Sequence, residues 1–135
     1  MNKEGRHLIV SSDERTWKFD CPIIFLGEWC RRYNRRHIWQ SLDAIVAEPY
    51  GLGISAKDAD YAEARCLEDK LINFLSNTLN LYHNINEDVH FWRIVLGPWL
   101  RRYVEAMLNR VKTLEHCLTN HKICGITYVH NDCYA

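Results

Sequence analysis

The chain has 135 residues, enough for one domain with a real core, and it is 47% apolar and 25% charged, as ordinary soluble proteins are. Its 17 Lys and Arg residues offset 17 Asp and Glu, which argues against a generic nucleic-acid binder, because phosphate binding shows as a basic excess. No stretch approaches the roughly 18 apolar residues of a membrane span, and the first apolar run ends at Val10, too soon for a signal peptide; the chain is expected to be soluble and cytoplasmic.

The first element is "HLIVSS" (7–12), an apolar run closed by polar turn residues. The second is "PIIFLG" (22–27), opened by Pro22, which a strand tolerates at its first position. Neither run alternates, and unbroken apolar runs belong to parallel strands covered on both faces. "DERTWKFDC" between them is too short for a crossover helix. The two strands are therefore joined compactly or are not neighbours.

After Gly27 the composition turns helical. "EWCRRYNRRHIWQSLD" (28–43) brings Trp29, Tyr33 and then His37 or Ile38 near one helix face, and "AIVAEPYGLG" (44–53) reads as a third strand ended by Pro49, Gly51 and Gly53. From Asp58 a clearer period begins. Leu67, Leu71, Phe74 or Leu75, Thr78 or Leu79, and Tyr82 step by three and four, with Ser55 or Asp58 available as a cap.

"HNINED" (83–88) is a polar turn, and a second long helix follows through Leu100, Tyr103 or Val104, Met107 or Leu108, Val111, Leu114 and Leu118. Two long helices and a short turn predict an antiparallel hairpin. Gly97 and Pro98 predict a kink or a break in the second helix. The tail "KICGITYVHNDCYA" (122–135) reads as a last strand, "ITYV". A parallel unit normally continues into a covering helix, so the chain is expected to be part of something longer.

The fold expected is thus α/β, a small mostly parallel sheet (a Rossmann-like half) with a long antiparallel helical hairpin, in one domain over 1–135. Six cysteines without a CxxC or an export signal read as free thiols. His116, Cys117, His121, Cys124, His130 and Cys133 are zinc-ligand types, yet no standard ligand-pair spacing occurs, and no metal or cofactor is expected.

Ligands in open α/β sheets bind beyond the carboxyl ends of the strands. That places Glu28, Trp29 and Cys30 after the second strand, and Glu14, Arg15, Thr16 and Trp17 after the first. Glu28 is read as a base on an acceptor hydroxyl, or as a holder of a sugar hydroxyl, against a plain early-turn carboxylate favoured by the helix dipole. Trp29 is a plate for a sugar face or a core anchor, and Thr16 a hydroxyl binder. Arg31, Arg32, Arg35 and Arg36 meet a phosphate or form a solvated face. Arg93, between apolar residues, lines a site or pairs with a carboxylate. Trp92 and Trp99 read as core, and Cys30 as a buried filler.

Two stretches, "PIIFLGEWCRRYNRR" (22–36) and "HFWRIVLGPWLRRYVEAMLNR" (90–110), preceded by "LIVSSDERTW" (8–17), resemble the N-terminal region of a family of large bacterial transferases associated with lipopolysaccharide O-antigen and other surface-carbohydrate gene clusters. The resemblance spans residues 7 to about 112, and the segment after Leu118 departs from it. It implies the N-terminal, acceptor-side portion of a two-domain transferase using a nucleotide-sugar. The C-terminal domain would then be a partner, Glu28 the catalytic candidate, and Thr16, Trp29, Arg31 and Arg93 substrate-binding. The other reading is a stand-alone binding or assembly module that uses its helical hairpin.

Overall fold

The computed structural model describes residues 5–129. Four strands form one all-parallel sheet in the order β3-β2-β1-β4, with β1 Arg6–Ile9, β2 Ile23–Phe25, β3 Ala44–Val46 and β4 Ile123–Ile126. The helices are α1 Arg36–Trp39, α2 Ile54–His83 and α3 Val89–Asn120. The expected α/β class and parallel sheet are what the chain adopts.

β1 and β2 are direct neighbours, in the register His7↔Ile23, Leu8↔Ile24 and Ile9↔Phe25. The compact connection therefore wins. A single 3-10 turn, Glu14–Thr16, closes it, capped by the Asp13 carboxylate accepting from the Arg15 amide. The unbroken apolar runs have the predicted cause, because both faces of the strands are covered. On one face Ile9, Ile23 and Phe25 pack with Trp17 and Cys30, and with Ile38, Trp39 and Leu42 around them. On the other, Leu8, Ile24 and Ala47 pack with Cys117, flanked by Leu114 and Ile123. Fully burying side chains of this size stabilises by about 1.5–3 kcal/mol each.

Four expectations are corrected. Residues 28–43 do not form one helix; they make 3-10 turns at Glu28–Cys30 and Tyr33–Arg35 and then the single turn α1. That segment has no apolar stripe of helical period to bury, and Trp29 and Tyr33 stay exposed. The second correction concerns α2, which starts at Ile54 after Gly53, with no side-chain cap from Ser55 or Asp58. Third, of the kink or break expected at Gly97 and Pro98, the break does not occur, since α3 runs through Pro98 as one helix.

Finally, β4 begins at Ile123 rather than at Ile126. Arg6 donates its amide to the Lys122 carbonyl at 2.8 Å, so pairing starts as soon as α3 ends, and a register irregularity between Arg6 and His7 absorbs the difference.

Two compact units divide the chain. One comprises residues up to Tyr50 together with those from Thr113 onward; the other is Gly51–Lys112. In the second unit, Ala64 and Ile72 of α2 pack with Trp92, Leu100 and Val104 of α3. Its polar links join residue 112 to 60 and 63, 105 to 65, 93 to 69, and 92 to 80. Asn80 fastens the intervening turn through both its amide nitrogen and oxygen to Glu87, and Asn84 takes the left-handed conformation (φ 54°) that ends α2.

Candidate functional site

The carboxyl ends of β1 and β2 open into a cleft of about 440 Å³. Its walls are the loop after β1, with Ser12, Asp13, Glu14 and Arg15, and the loop after β2, with Arg32, Asn34 and Arg35. Sheet hydrogen bonds set where the second loop leaves, since Leu26 donates to the Ile9 carbonyl at 2.9 Å. Cys30 then drops its thiol into the core and donates to that same carbonyl at 3.4 Å. Burial pushes the Cys30 thiol pKa up, so it is a protonated filler and no nucleophile.

Charge-assisted pairs lace the two loops, the first two inside the cleft and the Arg31–Glu28 pair beside it, outside its lining residues. Arg35 grips Glu14 with two bonds of 2.6 and 2.7 Å, tying the two loops together. Arg15 grips Asp13, and Arg31 grips Glu28 with two bonds of 2.6 Å. Each guanidinium holds its carboxylate partner below the ordinary range. Arg31 also lies over the Trp39 ring, 4.8 Å from its centroid. Arg36 is engaged with Tyr33, both through its hydroxyl and over its ring.

Arg32 differs from all of these. Its one side-chain bond is from Nε to the Ser12 hydroxyl, at 3.2 Å, and it forms no ion pair among the described residues. The charges lining the cleft are then Arg15, Arg32 and Arg35 against Asp13 and Glu14, and the uncompensated one is Arg32. A guanidinium with open donors beside a hydroxyl is chemistry for an oxyanion.

The sequence-level candidates fall in several places. Glu28 is exposed and committed to Arg31. Thr16 is buried, and its hydroxyl donates to the Asp13 carbonyl at 2.7 Å, which fastens the 3-10 turn. Trp17 belongs to the core, edge-on to Phe25 at 5.0 Å.

Trp29 is 60% exposed, which overturns a core role, and its ring lies where a Gly27 Cβ would be. Gly27 itself is extended, so its missing side chain, and not an unusual backbone angle, is what the site uses. Arg93 lies in the helical unit, paired with Asp69 at 2.9 Å. Trp92 is buried as expected, whereas Trp99 is 57% exposed and stacks on Tyr103.

The sequence reading missed Ser12, Asp13 and Asn34. The first two immediately follow β1 and the strand-end rule could have found them; nothing local marks Asn34. Among the described residues, no group of three or more His, Cys, Asp or Glu is placed to hold a metal. His130 and Cys133 of the zinc-type cluster lie outside the described residues. No described helix is long and apolar enough to cross a membrane.

Comparison with curated proteins and with solved structures finds no match. The family model described as LIC12162 family transferase matches residues 6–134, past Leu118 where a departure was expected, and the chain belongs to that family.

Proposed function

We propose that the chain is the N-terminal, acceptor-side part of a cytoplasmic transferase of surface-polysaccharide or lipopolysaccharide biosynthesis, which moves a glycosyl group from a nucleotide-sugar. A further C-terminal domain would carry most of the donor site, and α2 and α3 would form an antiparallel hairpin. The observation that carries this reading is the cleft at the carboxyl ends of two parallel strands, where such sheets bind ligands.

In this reading Glu28 accepts a hydrogen bond from an acceptor hydroxyl. Its lowered pKa suits holding a hydroxyl better than removing its proton, because a general base works best with a pKa near the operating pH. Arg31 orients Glu28, Thr16 holds the loop, and the exposed indole of Trp29 offers a plate for a sugar face. Arg32 takes the phosphate of a nucleotide-sugar or lipid carrier.

The test is the full-length protein carrying Glu28→Gln. A hydrogen bond to a charged group contributes about 1.5–3 kcal/mol, so transfer should fall roughly 10- to 100-fold, mainly through KM. Unchanged kinetics would reduce Glu28 to a partner of Arg31.

A stand-alone binding or assembly module is favoured by one observation, the exposed apolar residues of α2: Phe74, Leu81 and Tyr82. The mass of the native gene product decides between the two. A product several times heavier than 16.0 kDa supports the transferase part, and one of 16.0 kDa supports the module.

A further inference from the structure

The helical unit has a groove of its own, distinct in residues from the strand-end cleft, and the proposed glycosyl transfer does not use it. Arg93, Gly97, Pro98, Arg101, Arg102 and Glu105 line it from α3, with Glu68 from α2. Arg93, Gly97 and Arg101 follow one another at intervals of four, so they stand in one row along α3. Gly97 leaves a notch in the middle of that row. A side chain added there would meet Arg93 Cγ at 3.8 Å, an ordinary van der Waals contact, so the notch has room that a larger side chain would fill. Pro98 contributes only a short ring to the floor.

The ion pairs leave cationic groups over. Arg65, Arg93, Arg101 and Arg102 face the three carboxylates Glu68, Asp69 and Glu105. Arg65 takes Glu68 at 2.7 Å and Glu105 at 2.6 Å. Arg93 takes Asp69 at 2.9 Å. Arg101 reaches Glu68 only through Nε, at 3.4 Å, which leaves its terminal nitrogens open. The Arg102 side chain makes no ion pair or hydrogen bond among the described residues, and it is exposed. Glu68 is buried, which fixes one wall of the groove.

We propose that this groove binds a phosphoryl oxyanion, held by Arg102 and by the open ends of Arg101 and Arg93 over the Gly97 notch. Planar guanidinium groups match phosphoryl oxygens two at a time, and one uncompensated charge with two half-used neighbours suits a group of one to two negative charges. The phosphoryl group can belong to a soluble phosphorylated compound or to a lipid headgroup, and two probes separate these sources.

The full chain is titrated with inorganic phosphate by calorimetry, and separately with phosphatidylglycerol vesicles by co-sedimentation, phosphatidylcholine vesicles being the control. The variants are Arg102→Ala, Gly97→Leu and Arg32→Ala. Arg102 is exposed, so its variant keeps the fold, and circular dichroism checks each protein. Saturable binding of either probe, weakened at least tenfold by Arg102→Ala and by Gly97→Leu but kept in Arg32→Ala, establishes the groove and names the source.

No saturable binding of either probe overturns it. So does binding lost in Arg32→Ala and kept in Arg102→Ala, which would return the anion to the strand-end cleft and leave the proposed function standing.

Discussion

At the scale of single residues, exposure and pairing separate roles that look alike in the sequence. Trp17 and Trp29 each follow a strand, yet the first is core and the second lies open over Gly27. Gly27→Ala is expected to swing the Trp29 ring away, because the contacted atoms are the far end of a side chain with room to move. Gly27 is buried under the ring, so displacing it should cost about 1 kcal/mol of stability, the ordinary size of a point substitution, while the Trp29 indole N–H resonance shifts and the acceptor KM rises. A large loss of stability would mean the ring is packed and not a plate.

His7 gives a pH dependence. It is buried in β1 against Thr127, 2.9 Å away, and its pKa lies below the ordinary 6.5 because burial, and then Lys18, oppose its charge, with Asp20 acting the other way. The unfolded chain therefore takes up the proton first. The stability associated with neutral His7 is complete above pH 6.5 and is lost as pH falls through the folded value. Urea midpoints from pH 7.5 to 5 should fall in the wild type and fall less in His7→Gln; parallel curves would exclude His7 as the cause. Thiol labelling followed by mass spectrometry should modify Cys66 and Cys124 in the native protein, and Cys30 and Cys117 only after unfolding.

At the scale of elements, α3 carries a proline that its length and packing override. Pro costs about 3 kcal/mol relative to Ala in a helix interior, since it removes a donor and crowds the preceding turn. Trp92 before it and Leu100 and Val104 after it are all buried with α2, so the helix continues across the fault. Pro98→Ala is expected to stabilise the protein by up to about 3 kcal/mol in urea denaturation; a loss would show that local geometry at Pro98 is required.

Glu68 is the other decisive residue of this pair. It is buried between Arg65 and Arg101, so Glu68→Ala leaves Arg65 with Glu105 as its one carboxylate. Destabilisation of about 3 kcal/mol is expected, in the range for breaking a buried pair from one side. The arginines of residues 31–36 show the converse case. Their density suggests a basic patch, but Arg31 and Arg35 are neutralised, which leaves the cleft with a single open guanidinium.

At the scale of the whole molecule, the α/β class, the parallel pairing of the apolar runs and the two long helices were all readable in advance. A strand covered on both faces must be apolar throughout, and a helix with one buried face must repeat every three or four residues. Both signals are local, and both survive in any tertiary setting. The division into two compact units was not readable, because α3 crosses the boundary near Lys112 without any change in composition.

Apolar runs and three-to-four-residue periods locate three of the four strands and both long helices, and the tryptophan-rich motifs point to a transferase family. Which charges stay open depends on contacts between distant positions. Glu14 and Arg35 are 21 positions apart, and Arg65 and Glu105 are 40. No period or composition joins such residues. They meet because the segments between them fold back, and burial of the apolar faces supplies the main driving force for that closure.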